Sequence, residues 1–458
     1  MFRKFVSIIY YVSFAVLAVC FIGFISNSAM AAIPELGKFF KPVPDISQKY
    51  APDKIYPQGR IFPFSAFSVG GGSEKKRGEL LPESEVQAVF SRFKKDNFTM
   101  AGPQYELNDR LIADAKKHGL KAIYSIGLKM NFYSDKPVKI SPEDIKKAIK
   151  EQVSKVVECP EIAWWNVSSE ELRYWRKNEM EYLEILVKTI RETDPYHRPI
   201  WMYEPGHRNA EDMAHIAKYL DVVGKGFYVN YTGQRESRIW VKWSVEQEIG
   251  AIEKANSNAI PIAVPEMFKE GWEIPRKDFP FPQLVPKWVR HDVYLSLISG
   301  VKGIIVFSMS KRENFPEHET YYKAYAQTAN EICGKLNLGQ VFLFGEKRND
   351  INIEVLNGPK SVIQKDDFGS RIGGTNIGAT IEYPSVNFLD VAHGTDRYLF
   401  AVNSANEPVL VMVGGLPDAK ILVYDVFNAG DPMHVGEKEF KLKFEPLEVK
   451  CMRFAPGK

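Results

Sequence analysis

Two stretches of the chain put carboxylates where an apolar run has no structural use for them. "EIAWWNVSSEE" (161–171) ends on Glu170 and Glu171, and "AIPIAVPEMF" (259–268) places Glu266 after a run with no polar side chain. A carboxylate in such surroundings is costly unless it meets a partner or a polar pocket. Two that face one another across a pocket can hydrolyse a glycosidic bond. One protonates the leaving oxygen, and the other attacks the anomeric carbon or activates water. Other uses of the same residues stay open. Ser168-x-x-Glu171 has capping-box spacing, so Glu171 could open the next helix, with Glu170 in its acidic first turn. Glu266 could close a salt bridge on a rim.

A third cluster, "YEPGHR" (203–208), gathers Tyr203, Glu204, His207 and Arg208, and makes Glu204 a rival to Glu170 and Glu171 for the acid role. His207 and Arg208 could equally pair in a loop with Glu211 or Asp212. Aromatic faces stack on sugar C–H faces, which brings in Trp272 in "FKEGWEIP" and Trp240 and Trp243 in "RIWVKW", although core packing is the commoner use of any one tryptophan. Lys225, inside an apolar run, could face a pocket or pair with an acid of a neighbouring strand.

The elements that would carry these groups alternate regularly. Strand-like runs occur at 60–69, 97–102, 121–128, 161–168, 198–205, 221–229, 259–268 and 302–309. Amphipathic stretches lie between them, among them "NDRLIADAKKHG", which spaces Leu111, Ile112 and Ala115 on one face and stops at Gly119. "EYLEILVKTIRETDP" ends before Pro195, and "RHDVYLSLISGV" is apolar on most sides. Eight such units predict a (β/α)8 TIM barrel over 59–335, with a doubly wound open sheet as the alternative. In a barrel the strands' C-terminal ends build the pocket, which puts Glu170 after strand four and Glu266 after strand seven. Trp164 and Trp165, on successive positions of strand four, then point to opposite faces of the barrel wall. From 336 to 458 the pattern turns to alternating strands and turn dipeptides, which predicts a small C-terminal antiparallel β-sandwich.

Arg3 and Lys4 precede an apolar run from Phe5 to Ile25 and an Ala29-Met30-Ala31 site. Residues 1–32 read as a signal peptide, or as an N-terminal membrane anchor if uncleaved, followed by a lead-in segment at 33–58. The protein is therefore expected to be exported, periplasmic or extracellular, touching membrane only through that segment. Cys159, Cys333 and Cys451 are too widely spaced for a metal pattern or a dense disulfide framework. No G-x-S-x-G, phosphate-binding loop or zinc spacing occurs, so neither metal nor cofactor is expected. A net charge of +3, without a basic stripe, points away from nucleic acid.

Over about residues 60 to 335 the pattern resembles the large clan of (β/α)8 retaining glycoside hydrolases, whose acid/base Glu follows strand four and whose nucleophilic Glu follows strand seven. "DRLIADAKKHGLKAIYSI", "RETDPYHRPIWMYEP" and "GVKGIIVFSM" support it, and a C-terminal β domain is a common companion. The resemblance implies Glu170 as acid/base, Glu266 as nucleophile, and Tyr228 as the tyrosine that holds the nucleophile ionised. It implies an oligo- or polysaccharide substrate and retention, with carboxyls about 5–5.5 Å apart rather than about 6.5–9.5 Å. The chain departs from the clan where Ser169 precedes Glu170, with Asn166 four residues before the glutamate. It departs again where Phe307 stands in place of the usual tryptophan after strand eight. A non-catalytic carbohydrate-binding barrel, assisting polysaccharide export or surface assembly, is the second reading. A lyase or aldolase would want a buried lysine, for which Lys225 is the sole hint.

Overall fold

The computed structural model describes residues 61–456 apart from 73–80, 106–107, 133–137, 168–171, 231–237, 269–281, 313–314, 366–379, 417–420, 429, 433 and 436–437. The N-terminal leader, the whole lead-in segment, Glu170, Glu171 and Trp272 lie outside the described residues.

Strands β1 (Phe64–Ala66), β2 (Met100–Ala101), β3 (Lys121–Ile126), β4 (Ile162–Val167), β5 (Ile200–Glu204), β6 (Val222–Phe227), β7 (Ile260–Pro265) and β8 (Ile304–Val306) form one parallel sheet in the order β1-β8-β7-β6-β5-β4-β3-β2. The ends of that order meet. Thr99 N donates to the Phe64 carbonyl at 3.0 Å and Gly102 N to the Ala66 carbonyl at 3.1 Å, which closes the barrel. Each strand is followed by a helix: α1 (Glu83–Lys95), α2 (Asn108–His118), α3 (Pro142–Val156), α4 (Lys177–Thr193), α5 (Ala210–Ala217), α6 (Trp240–Lys254), α7 (Val285–Ser299) and α8 (His318–Cys333). The open sheet is thereby ruled out.

Local signals explain the helix ends. Ser141 Oγ accepts from Asp144 N at 3.1 Å with Pro142 in the first turn of α3, and α2 stops at Gly119, whose φ is 64°. By contrast α4 begins only at Lys177. The capping-box use of Glu171 falls outside the described residues.

Side chains at alternate strand positions face inward. Trp164, Trp201, Tyr203 and Ile262 fill the barrel, whereas Trp165 lies in the outer layer and donates from Nε1 to Asp194 Oδ2 at 2.8 Å. Opposite the two large β5 side chains, β6 presents glycines. A Cβ on Gly224 would sit 2.6 Å from Trp201 Nε1, and one on Gly226 2.5 Å from Tyr203 Oη. The small residues of one strand make room for the aromatics of the next, as a filled barrel requires.

After α8 comes a short helix missing from the sequence reading, α9 (Leu338–Phe344), with the buried side chains Leu338, Val341 and Phe342. The sandwich follows: β9 (Glu346–Arg348), β10 (Asn352–Asn357), β11 (Ser361–Lys365), β12 (Thr380–Pro384), β13 (Val386–His393), β14 (Asp396–Asn403), β15 (Val409–Gly414), β16 (Ile421–Asp425), β17 (His434–Val435), β18 (Phe440–Phe444) and β19 (Val449–Pro456). A six-stranded sheet, β17-β16-β19-β14-β13-β9, packs on a three-stranded one, β10-β15-β18. Leu399, Val423 and Met452 meet Val411, Val413 and Phe444 in their shared core. Phe440, Leu442 and Phe444 are buried and alternate with exposed Lys441 and Lys443. The sandwich sits on α6 and α7. Lys242 Nζ donates to Asn387 Oδ1 at 2.7 Å, and His291 Nε2 lies 3.1 Å from Ser404 Oγ. This cover explains why α7 is apolar on most sides.

Candidate active site

Glu266 occupies the next inward position after Ile262 and Val264 on β7. It is 3% exposed, and a parallel bridge to Phe307 pins its backbone. Phe307 N donates to the Pro265 carbonyl at 2.8 Å. Two further bonds fix the glutamate. Asn230 N donates to Glu266 Oε1 at 2.6 Å, and Tyr325 Oη donates to the Glu266 carbonyl at 2.6 Å. The carboxylate is thus oriented at the C-terminal mouth of the barrel by a backbone N–H, a donor that cannot rotate away.

Behind Asn230 stands a buried chain of polar groups. Its Nδ2 donates to Tyr321 Oη at 2.9 Å, and its Oδ1 accepts from Arg238 Nη1 at 2.8 Å. Arg238 closes a two-pronged pair on Asp292, with Nε to Oδ1 at 2.7 Å and Nη2 to Oδ2. Burial opposes the charge on both partners, but their mutual attraction outweighs it. Arg238 is held above its ordinary pKa and Asp292 below. His291 Nδ1 lies 2.9 Å from Asp292 Oδ1, and burial pushes its pKa down. A neutral ring donating from Nδ1 to Asp292 then accepts the Ser404 hydroxyl at Nε2.

Aromatic rings line the mouth beside Glu266. Tyr228 packs on Phe268 at 4.9 Å, on Phe307 at 5.6 Å and parallel to Tyr203 at 6.2 Å between centroids. Phe67 adds contacts to Phe307 at 4.8 Å and Trp201 at 5.6 Å. The Phe307–Ser308 peptide is cis. Asn166 also faces inward, where its Nδ2 donates to Ser125 Oγ at 2.9 Å. Tyr228, Asn166 and Glu266 therefore share the barrel interior.

Glu204, His207 and Arg208 do not join them. Tyr203 takes the inward position on β5, so Glu204 points to the helix layer with Met202. There Arg208 Nη1 donates to Glu204 Oε2 at 2.7 Å and Arg208 Nη2 to the Leu172 carbonyl at 2.5 Å. Burial raises the Glu204 pKa, and Arg208 and then Lys225 pull it back in part. His207 is pushed down to about 4 by burial, with Lys225 and Arg208 adding to the effect. The expected loop pairs are corrected too: Glu211 pairs with Lys254, and Asp212 accepts from Tyr174 Oη at 2.6 Å. Lys225 shares the outer layer. It donates to the Gly206 carbonyl, lies 5.0 Å from the Trp243 ring, and is lowered by burial to about 7. Trp240 and Trp243 are buried and stacked at 4.3 Å, so they serve the core rather than a sugar subsite.

The sequence reading missed Asn230, Arg238 and Asp292. Asn230 stands two residues beyond Tyr228 in "FYVNY", where strand alternation puts both near the mouth. Nothing in the sequence joins Arg238 to Asp292. Among the described residues no group of three or more His, Cys, Asp or Glu side chains gathers as a metal site.

The sequence matches no protein-family model and no curated protein. Its fold is shared with solved structures. One described as a glycoside hydrolase aligns over 87% of this chain and 93% of its own, with TM-score 0.55 and 12% identity. AmyP in complex with maltose aligns over 86% of this chain and 94% of its own, with TM-score 0.52 and 9% identity. Likeness at these identities shows a common architecture, a barrel with a C-terminal β domain.

Proposed function

We propose that the chain is an exported glycoside hydrolase that cleaves O-glycosidic bonds in an oligo- or polysaccharide with retention of configuration. One observation carries this reading. Glu266, from the seventh strand, is buried, oriented by the Asn230 N–H and set beside an aromatic wall at the end of the barrel where such pockets form. In the proposed cycle Glu266 attacks the anomeric carbon while Glu170 protonates the leaving oxygen. Glu170 then takes a proton from water, whose oxygen displaces Glu266 and regenerates both carboxyls. Fold kinship with glycoside hydrolases supports the reaction class. That a shared-fold structure binds maltose supports a sugar ligand. Export rests on the basic, apolar and small-residue order of residues 1–32.

The test is a panel of polysaccharides and aryl glycosides, followed by Glu266→Ala in the full chain. Turnover is expected in the unmodified protein and lost in the variant, with azide restoring turnover as a glycosyl azide of the opposite anomeric configuration. Sugar binding without turnover in the unmodified protein would replace hydrolysis by a binding role.

A further inference from the structure

Glu266 takes its side-chain bond from Asn230, but Asn230 does not hold itself in place. Its amide is gripped on both sides, by Tyr321 Oη at 2.9 Å and by Arg238 Nη1 at 2.8 Å. Arg238 is 1% exposed, and its other two nitrogens are taken by Asp292, so its position is set by α7 rather than by its own segment. It also lies 5.1 Å from the Trp288 ring, on the same helix. Asp292 is in turn bonded to His291, which reaches Ser404 of the sandwich. A fully buried cation with a fixed orientation is an expensive way to place one asparagine unless its charge is also used.

We propose that Arg238 is a positioning residue for Glu266, holding Asn230 in register and keeping a buried positive charge behind the carboxylate. The importance of Glu266 rests on the hydrolase reading, but the effect of Arg238 on it does not. The groups that bear on Glu266 come from several elements. Arg238 and Asn230 precede α6, His291 and Asp292 belong to α7, Tyr321 and Tyr325 to α8, and Tyr228 follows β6. His291 is lowered by burial and uncharged near neutral pH, and both α8 tyrosines are raised by burial, so their phenols stay protonated. Arg238 and Asp292 are then the charges that these elements bring toward Glu266, and Arg238 is the one bonded to Asn230. Arg312, which donates to Ser308 and lies 4.9 Å from the Phe268 ring, and Glu170, which the proposed function sets opposite, stay the same in every variant below.

The experiment titrates Glu266 directly in the full chain labelled with carboxyl-13C glutamate, its resonance identified by its absence from Glu266→Gln. In Arg238→Gln/Asp292→Asn both charges go while an uncharged amide stays on each side chain, so the midpoint of Glu266 is expected to rise by about one pH unit or more. In Asp292→Asn the cation stays without its counter-charge, so the midpoint is expected to fall. General loosening does not produce shifts of opposite sign. An unchanged midpoint in both variants overturns the proposal. Should the double variant not fold, Asp292→Asn decides alone, and a midpoint that stays or rises there overturns it. Where turnover is measurable, the acid limb of kcat/KM is expected to follow these midpoints. An unmodified protein that hydrolyses nothing removes the hydrolase reading and leaves the titration result standing.

Discussion

Glu204 and Glu266 are both buried acids at strand ends, and one pair of substitutions separates their roles. The Glu204–Arg208 ion pair is 2.7 Å long with both side chains at most 4% exposed. At an effective dielectric of about 20 the attraction is roughly 6 kcal/mol, but desolvating each ion takes back several kcal/mol, so the intact pair adds little net stability. Breaking it is different. Arg208→Met leaves Glu204 buried without its cation and strips the Leu172 carbonyl of a donor. Loss of one partner of a buried pair costs about 3–5 kcal/mol. Glu204→Gln belongs at the low end, about 3 kcal/mol, because a glutamine oxygen still accepts from Arg208. The double variant Glu204→Gln/Arg208→Met removes both members of the pair, and its loss is expected to be well short of the sum. Urea unfolding followed by tryptophan fluorescence reads the midpoints, with turnover measured at a urea-free temperature where each variant is folded. Stability is expected to drop and turnover per folded molecule to stay within a few-fold. A Glu204→Gln protein of unchanged stability that loses about 100-fold or more in turnover would refute the structural assignment, since that is the signature of a lost general acid.

Lys225 gives a pH dependence. Folded, it releases its proton at about 7 rather than 10.5, so between those values the unfolded chain holds the extra proton and stability rises with pH. Lys225→Met is expected to reduce that rise in thermal melts between about pH 7 and 9, where Lys302, lowered by burial to about 8, and the buried Lys242 contribute the remainder. Above that range Cys333 and Cys451, raised by burial, act in the opposite sense. Gly226→Ala would drive a methyl group against Tyr203 Oη and the Tyr228 ring, an overpacking expected to cost about 1–3 kcal/mol and to distort the mouth, read as a lower melting temperature with reduced turnover. Tyr325→Phe removes the donor to the Glu266 carbonyl. A loss of about 1 kcal/mol is expected in urea unfolding, with kcat falling more than KM changes.

The eight barrel strands were legible because each is an apolar run between helical patterns, and Gly119 marked a helix end that the backbone confirms with φ of 64°. Inward and outward positions were legible at Trp164 and Trp165. The same alternation, applied to Tyr203, would have turned Glu204 outward. Trp240 and Trp243 offered themselves as sugar platforms, but they lie stacked on the barrel side of α6, with Trp243 over Lys225 of β6, while Lys242 and Glu246 face the sandwich. The polar chain from Asn230 to Ser404 was illegible. Asp292 is 54 residues from Arg238 and Ser404 is 113 from His291, so no local pattern links them.

The strand β19 does not lie at a sheet edge but between β16 and β14. Until it arrives, β14 and β16 each present an open row of amides and carbonyls, and the larger sheet is split in two. Synthesis therefore leaves α7 without its finished roof until Val449–Pro456 has cleared the ribosome. A nascent chain paused between β18 and β19 would expose unpaired edges able to recruit neighbouring copies, so a holding factor engaged at that stage would protect it more than one acting on the barrel alone.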